Sequence, residues 1–214
     1  MAAVHGSGSW PTSTSTHVAI IAAWQHLPMR VRPATAITDE ALYALCAANP
    51  DLRIERDADG ELIFIAPTGG ETGARNARIT AQLVAWADRD GTGVAFDSSA
   101  GFVLPNGAER APDAAWVKTA RWQALTDEQR RRLVPLCPDF VVELMSPSDD
   151  LADQQAKLAE YVANGAHLGW LIDPGRRQVH IYRPGRPPEV VDAPAELRGE
   201  PELPGLCLDF RRIW

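Results

Sequence analysis

A chain of 214 residues, 45% hydrophobic and 23% charged, is long enough for one domain with a real core and short for two. Its formal net charge of −7 argues against an extended, non-specific nucleic-acid coat, which would carry an excess of lysine and arginine. It leaves room for a nuclease, because an acidic metal site contributes negative charge that its cation offsets.

Cys46, Cys137 and Cys207 are scattered, with no CxxC or Cys/His spacing. That pattern speaks against a disulfide framework or structural zinc and for a reducing, cytoplasmic setting. The apolar run Val18–Trp24 is far shorter than the ~18–20 residues of a membrane helix, and no basic segment or clear cleavage site marks a signal peptide. No membrane association is expected. Residues 1–30, centred on Ser13-Thr14-Ser15-Thr16-His17, show no sustained period and read as a flexible leader. Residues 31–214 read as a single domain.

The first expected helix starts after Thr38, a capping residue followed by Asp39 and Glu40, and stops at Asn49-Pro50. Segments 52–56 and 61–65 flank Asp57-Ala58-Asp59-Gly60 as a hairpin. A second helix is expected over 72–90, with Ile79, Leu83 and Trp86 on one face and Gly91 beyond its end. Short strands follow at 93–97, 101–104 and 114–118, with a turn at Asn106-Gly107. Thr126-Asp127-Glu128-Gln129 fits a capping box for a short helix ending near Leu133.

Phe140–Met145 is apolar apart from Glu143, as a strand covered on both faces would be. Ser146-Pro147 reads as a cap and first turn of a helix running to about Asn164, closed by Gly165. Strands at 168–172 and 178–182 come next, and the proline-rich remainder reads as loop. Helices and strands alternate without a strict βαβ period, which predicts a mixed sheet flanked by helices.

Two carboxylates stand out. Glu143 shares one strand face with Val141 and Met145, where a charge is expensive without a partner or metal. Asp113 lies thirty positions earlier, at the mouth of another apolar strand. Taken singly, each has an ordinary explanation: an ion pair at a sheet edge for Glu143, a Pro-Asp turn for Asp113. Together they match the one or two carboxylates that Mg²⁺ takes beside water and phosphate. Lys157 sits about 120° from the centre of its helix's apolar stripe, on the flank of Gln154 and Tyr161, from which it can reach inward or into solvent. Glu55 is a weaker candidate ligand, and Glu71 and Asn76 weaker still. The histidines, Ser99 and Ser146 form no nucleophile–base pattern, and no phosphate-binding glycine loop or GxSxG is present. The run Arg130-Arg131-Arg132 reads as a solvated helix end.

The ordered blocks "NPDLRIERDADGE", "PTGGETGARN", "FDSSAGFVLPNGAERAPDAAWV", "CPDFVVELMSPSDDL", "KLAEYVANGAHLGWLIDP" and "VHIYRPG" resemble the Uma-type (Uma-two) family of restriction endonucleases. The likeness runs from about Thr38 to Trp214. That family is assigned to the PD-(D/E)XK nuclease superfamily. The resemblance implies an α/β (α+β) restriction-endonuclease-like fold: a mixed central sheet flanked by helices, with an N-terminal helix and hairpin extension. It implies Asp113 and Glu143 as the acidic pair and Glu55 as a recurrent acidic position. The superfamily pattern places a lysine two residues after the second acid, where this chain has Met145. The resemblance instead singles out Lys157 on the following helix.

The expectation is a Mg²⁺-dependent endonuclease (Mn²⁺ substituting) that hydrolyses DNA phosphodiesters through Asp113, Glu143 and Lys157, with Glu55 a further candidate metal ligand. Homodimer formation is attractive for double-strand cutting, by fold analogy alone. The displaced lysine and acidic composition motivate an alternative: a nuclease-fold binding or assembly domain without turnover.

Overall fold

The computed structural model describes residues 28–214 apart from Asp51. The expected leader up to residue 27, including Val18–Trp24, His5, His17 and His26, lies outside the described residues. The strand β1 (Met29–Val31) pairs antiparallel with a later strand, so Met29 and Arg30 belong to a sheet and not to a leader.

Helix α1 (Asp39–Ala48) is capped as its sequence predicts, with the Thr38 hydroxyl accepting from the Ala41 N–H. The hairpin follows as β2 (Arg53–Arg56) and β3 (Leu62–Ile65), turned at Gly60, whose φ of 82° suits glycine. Helix α2 (Gly70–Asp90) starts two residues earlier than its periodicity suggests and ends on left-handed Gly91. Then come β4 (Gly93–Asp97), β5 (Phe102–Val103), β6 (Glu109–Arg110) and β7 (Ala114–Lys118). Two short helices, α3 (Thr119–Gln123) and α4 (Asp127–Arg130), lead to β8 (Phe140–Leu144), and the Thr126/Gln129 capping box of α4 is formed.

Helix α5 spans Leu151–Ala163. Its N-cap is Asp150, which accepts from the Ala152 and Asp153 N–H groups, not Ser146; one carboxylate satisfying two free N–H groups outcompetes the earlier Ser-Pro signal. β9 (Leu168–Asp173) and β10 (Gln178–Tyr182) complete the expected set. The tail is not all loop: it adds β11 (Glu189–Asp192), β12 (Glu196–Arg198) and β13 (Cys207–Asp209). Pairing with neighbours, and not local propensity, makes these strands.

The main sheet has the order β11-β10-β9-β8-β7-β4 and is antiparallel except for β8 and β9, which α5 joins in parallel. One face packs on α2 and the tail through Ile79, Leu83, Trp86, Phe140, Trp170 and Phe210. The other face receives Leu158 and Tyr161 of α5 against Ala115, Val141 and Leu171. A second sheet, β1-β3-β2-β6-β5, holds α1 on one face through Leu42, Ile54 and Leu62. Among the described residues no helix is long and apolar enough to cross a membrane.

Helix α5 lies close on the main sheet because β9 presents Gly169 beneath it. A Cβ there would come within 2.7 Å of Leu158 Cδ1 and 3.4 Å of Val141 Cγ2. Leu158 is fully buried one position after Lys157, so the packing that seats it also fixes where Lys157 emerges. Leu158→Ala should destabilise the protein by about 2–5 kcal/mol, measured by urea unfolding.

Candidate active site

The site forms where the free face of the second sheet meets β8 and α5. Strand alternation explains which residues arrive there. In β2, Ile54 joins the α1 core, so Arg53 and Glu55 point to the opposite face. The register of β2 with β6 pairs Arg56 with Glu109, and one step further Arg110 lies beside Glu55. On the main sheet Ala114 pairs with Val142, so continuing by one residue sets Asp113 across from Glu143. Asp113 Oδ2 accepts from the Leu144 N–H at 2.8 Å, which locks this juxtaposition. These residues and Lys157 line one cavity of about 590 Å³.

Lys157 is the link between the two sheets. Its Nζ lies 2.8 Å from Glu143 Oε1 and 2.9 Å from Glu55 Oε1. The Tyr161 hydroxyl, one turn along α5, donates to the same Glu143 oxygen at 3.0 Å. Glu55 is saturated. Its Oε1 also accepts from the Ala111 N–H at 3.2 Å and lies 3.6 Å from Arg53, while Oε2 takes Arg110 at 3.3 Å. Arg110 is held in turn by Glu160 at 2.6 Å. Arg53 donates to the Ala111 carbonyl and lies 3.4 Å from Asp113 Oδ1.

Burial opposes ionisation of Glu55, but Lys157, Arg53 and Arg110 outweigh it and hold the carboxyl at about 2. Burial dominates at Glu143. Lys157 offsets it in part, Asp113 and Glu55 repel, and the carboxyl is pushed up to about 7. Burial alone would lower the Lys157 pKa, yet Glu143 and Glu55 raise it above the ordinary lysine range, so the amine stays charged. Burial and then Glu143 lift Tyr161 well above its ordinary value, leaving its hydroxyl a donor.

Of the residues singled out from sequence, Asp113, Glu143, Lys157 and Glu55 share this cavity, whereas Glu71 and Asn76 are not among its lining residues. Among the described residues no group of three His, Cys, Asp or Glu is arranged to hold a metal. The donors present are instead paired carboxylates, hard oxygen ligands of the kind Mg²⁺ accepts when water and phosphate supply the rest. Among the described residues Glu143 Oε2 has no hydrogen bond, whereas both oxygens of Glu55 are engaged. Arg53, Arg110, Glu160 and Tyr161 were not foreseen as site residues. The available signal was alternation: two charges at Arg53 and Glu55 on one face of a strand whose other face carries Ile54.

The sequence from residue 39 to 211 matches a family model described as "Putative restriction endonuclease". The chain belongs to the Uma2 family. Among solved structures it is similar to a "putative nuclease belonging to DUF820" from Anabaena variabilis. The two chains are 20% identical, the match covers 75% of this chain and 88% of that one, and the TM-score is 0.63, a likeness of fold. No curated protein matches the chain. Uma2 membership and the shared fold together support a nuclease.

Two predictions concern the buried charges of this Uma2 protein. Glu55→Ala would leave Lys157 and Arg110 each short of a buried carboxylate, and should cost about 3–5 kcal/mol in chemical denaturation. Because the folded-state pKa of Glu55 is depressed, its contribution is present above about pH 4.5 and is lost as pH falls towards 2.

Glu109, on the β6 face opposite Arg110, behaves inversely. Burial and then Glu55 push its carboxyl up to about 8, and its Oε2 is buried without a partner among the described residues. A raised folded-state pKa means that stability falls as pH rises from about 4 to about 8. Glu109→Gln should flatten that decline, read as the denaturation midpoint at pH 5 and pH 8.

Proposed function

We propose that this protein is a Mg²⁺-dependent endonuclease hydrolysing DNA phosphodiester bonds, with Mn²⁺ able to substitute. The observation that carries the reading is the placement of Asp113, immediately before β7, beside Glu143 of β8, with the Lys157 ammonium 2.8 Å from Glu143 Oε1. Asp113 and Glu143 would hold the metal. When bound, the ion supplies an acidified water and neutralises charge on the phosphorus centre and leaving oxygen.

Lys157 is fixed from both sides and remains protonated. It is therefore suited to orienting the attacking water and to stabilising the charge that develops on phosphate oxygens, and poorly suited to removing a proton. Glu55 takes a role other than the ligand its acidity suggested. Both its oxygens are committed to Lys157, Arg110 and the Ala111 N–H, so it positions Lys157. The Tyr161 hydroxyl fixes the Glu143 carboxylate on the side away from the open oxygen, Oε2. In this reading Lys157, approaching from α5, serves in place of the lysine that the superfamily pattern sets two residues after the acid.

Supercoiled plasmid incubated with the protein and Mg²⁺ or Mn²⁺ should be nicked or linearised, and EDTA should abolish cleavage. Asp113→Ala and Glu143→Ala should each lower the rate at least about 10²-fold, by analogy with loss of an electrostatic stabiliser. Lys157→Met should lower it similarly. Undiminished cleavage by Glu143→Ala would reject the site assignment. No cleavage by wild type, together with no heat of Mg²⁺ or Mn²⁺ binding by calorimetry, would favour a binding or assembly domain without turnover.

A further inference from the structure

Four cations line the cavity, and the three around the paired carboxylates are not equally committed. Lys157 is held by two carboxylates at 2.8 and 2.9 Å, with its side chain 11% exposed. Arg110 is held by Glu160 at 2.6 Å and Glu55 at 3.3 Å, with 10% exposed. Arg53 differs. It donates from one terminal nitrogen to the Ala111 carbonyl, but its carboxylate separations are 3.4 and 3.6 Å, its side chain is 26% exposed, and its Nε has no acceptor among the described residues. A guanidinium offers five N–H donors in a planar fork, matched to a phosphate or carboxylate. Arg53 is thus the cation with donors to spare, and it stands beside Asp113.

A fourth cation lies further out on the same sheet face. In register, Arg30 of β1 is opposite Ile63 of β3, which is opposite Glu55 of β2. Arg30 therefore sits two strands, roughly 10 Å, to the side of Glu55, while Arg53 is two residues, roughly 7 Å, along β2. Arg30 is 45% exposed and meets Asp57, Glu61 and Asp153 only at 3.7–3.8 Å, separations that an incoming anion can displace. Between the two arginines the cavity floor is apolar, made by Ile63 and Ile65.

We infer that Arg53 and Arg30 form a two-point grip on the DNA strand to be cut, Arg53 on the phosphate under attack and Arg30 on a neighbouring phosphate, with Ile63 and Ile65 beneath the intervening sugar. Arg53 is then a catalytic residue, donating to a non-bridging oxygen whose charge grows in the transition state. Arg30 contributes binding that is equal in ground and transition states. The grip rests on the nuclease reading above and adds to it a means of seating the substrate that the acidic composition hides. A guanidinium pair on one sheet face supplies locally what the net charge withholds.

The test combines salt-dependent binding with steady-state kinetics on the full chain. A fluorescein-labelled DNA duplex is titrated by anisotropy with Ca²⁺ in place of Mg²⁺, across a series of NaCl concentrations. Arg53→Gln and Arg30→Gln should each flatten the slope of log K against log[salt] by about one, the signature of one lost phosphate contact. Arg53→Lys should recover the slope, because it restores the charge, without recovering kcat, because a point charge does not replace the fork. In cleavage assays with Mg²⁺, Arg53→Gln should lower kcat by about 10²–10³-fold. Arg30→Gln should act mainly through KM.

An unchanged salt slope for both glutamine variants, with wild type binding and cutting DNA, overturns the grip and leaves the nuclease reading standing. Wild type that neither binds nor cuts the duplex overturns the nuclease reading and the grip with it. Should Arg53→Gln fail to fold, judged by circular dichroism, Arg53→Lys and Arg30→Gln still decide: full kcat in the former together with an unchanged slope in the latter rejects the inference.

Discussion

The ion triad Glu55–Lys157–Glu143 is the constraint on which the site depends. A single ammonium is shared by carboxylates from two different sheets, and the helix carrying it is pinned to the main sheet by Leu158 over Gly169. Burying three charges is tolerable only because each has short, well-directed partners; removing any one strands the others in a low dielectric. The triad therefore ties the hairpin extension to the nuclease-like core. It also sets the distance between the residues proposed to hold metal and the residue proposed to stabilise charge.

Under the proposed function, the lysine of the site comes from a helix and not from the strand that bears the second acid. Just beyond the end of β8, the position two residues after Glu143 is Met145, which is buried on the α5 side of the sheet. A helix packed over that face can deliver an ammonium from outside the strand, provided that something holds it there. Glu55 is that holder. Its depressed pKa records the three cations around it, as the raised pKa of Glu143 records burial beside two other acids. Two carboxylates with environments this different are suited to different tasks.

Much of this was legible in the sequence because local signals agreed with the fold. Gly91, the Thr38 cap and the Thr126/Gln129 box mark helix ends that the structure keeps. Period-two alternation set Glu143 on the α5 face, and helical spacing set Lys157 and Tyr161 on one flank. What escaped was non-local. β6 is two residues long, and β11–β13 lie in a proline-rich tail, so they are strands only through their partners. Arg53 and Arg110 were not singled out, because nothing in a linear pattern reveals that β2 and β6 are neighbours. The role of Glu55 was hidden for the same reason, since its partners are 55 and 102 positions away.

In the cluster of paired charges at the inner end of the cavity, Glu55, Asp113, Glu143 and Glu160 oppose Arg53, Arg110 and Lys157, one negative charge in excess when all are ionised; Arg30, Asp57, Asp149 and Asp153 line the cavity outside that cluster. Under the proposed function, a dication alone would leave the cluster one unit positive, and a phosphodiester alone would leave it two units negative. Only the two together bring it to neutrality. Affinity for each should then rise with occupancy by the other, and by the same factor, since coupling free energies are reciprocal. In such a design the protein need not hold its metal tightly between encounters: the nucleic acid itself completes the binding site.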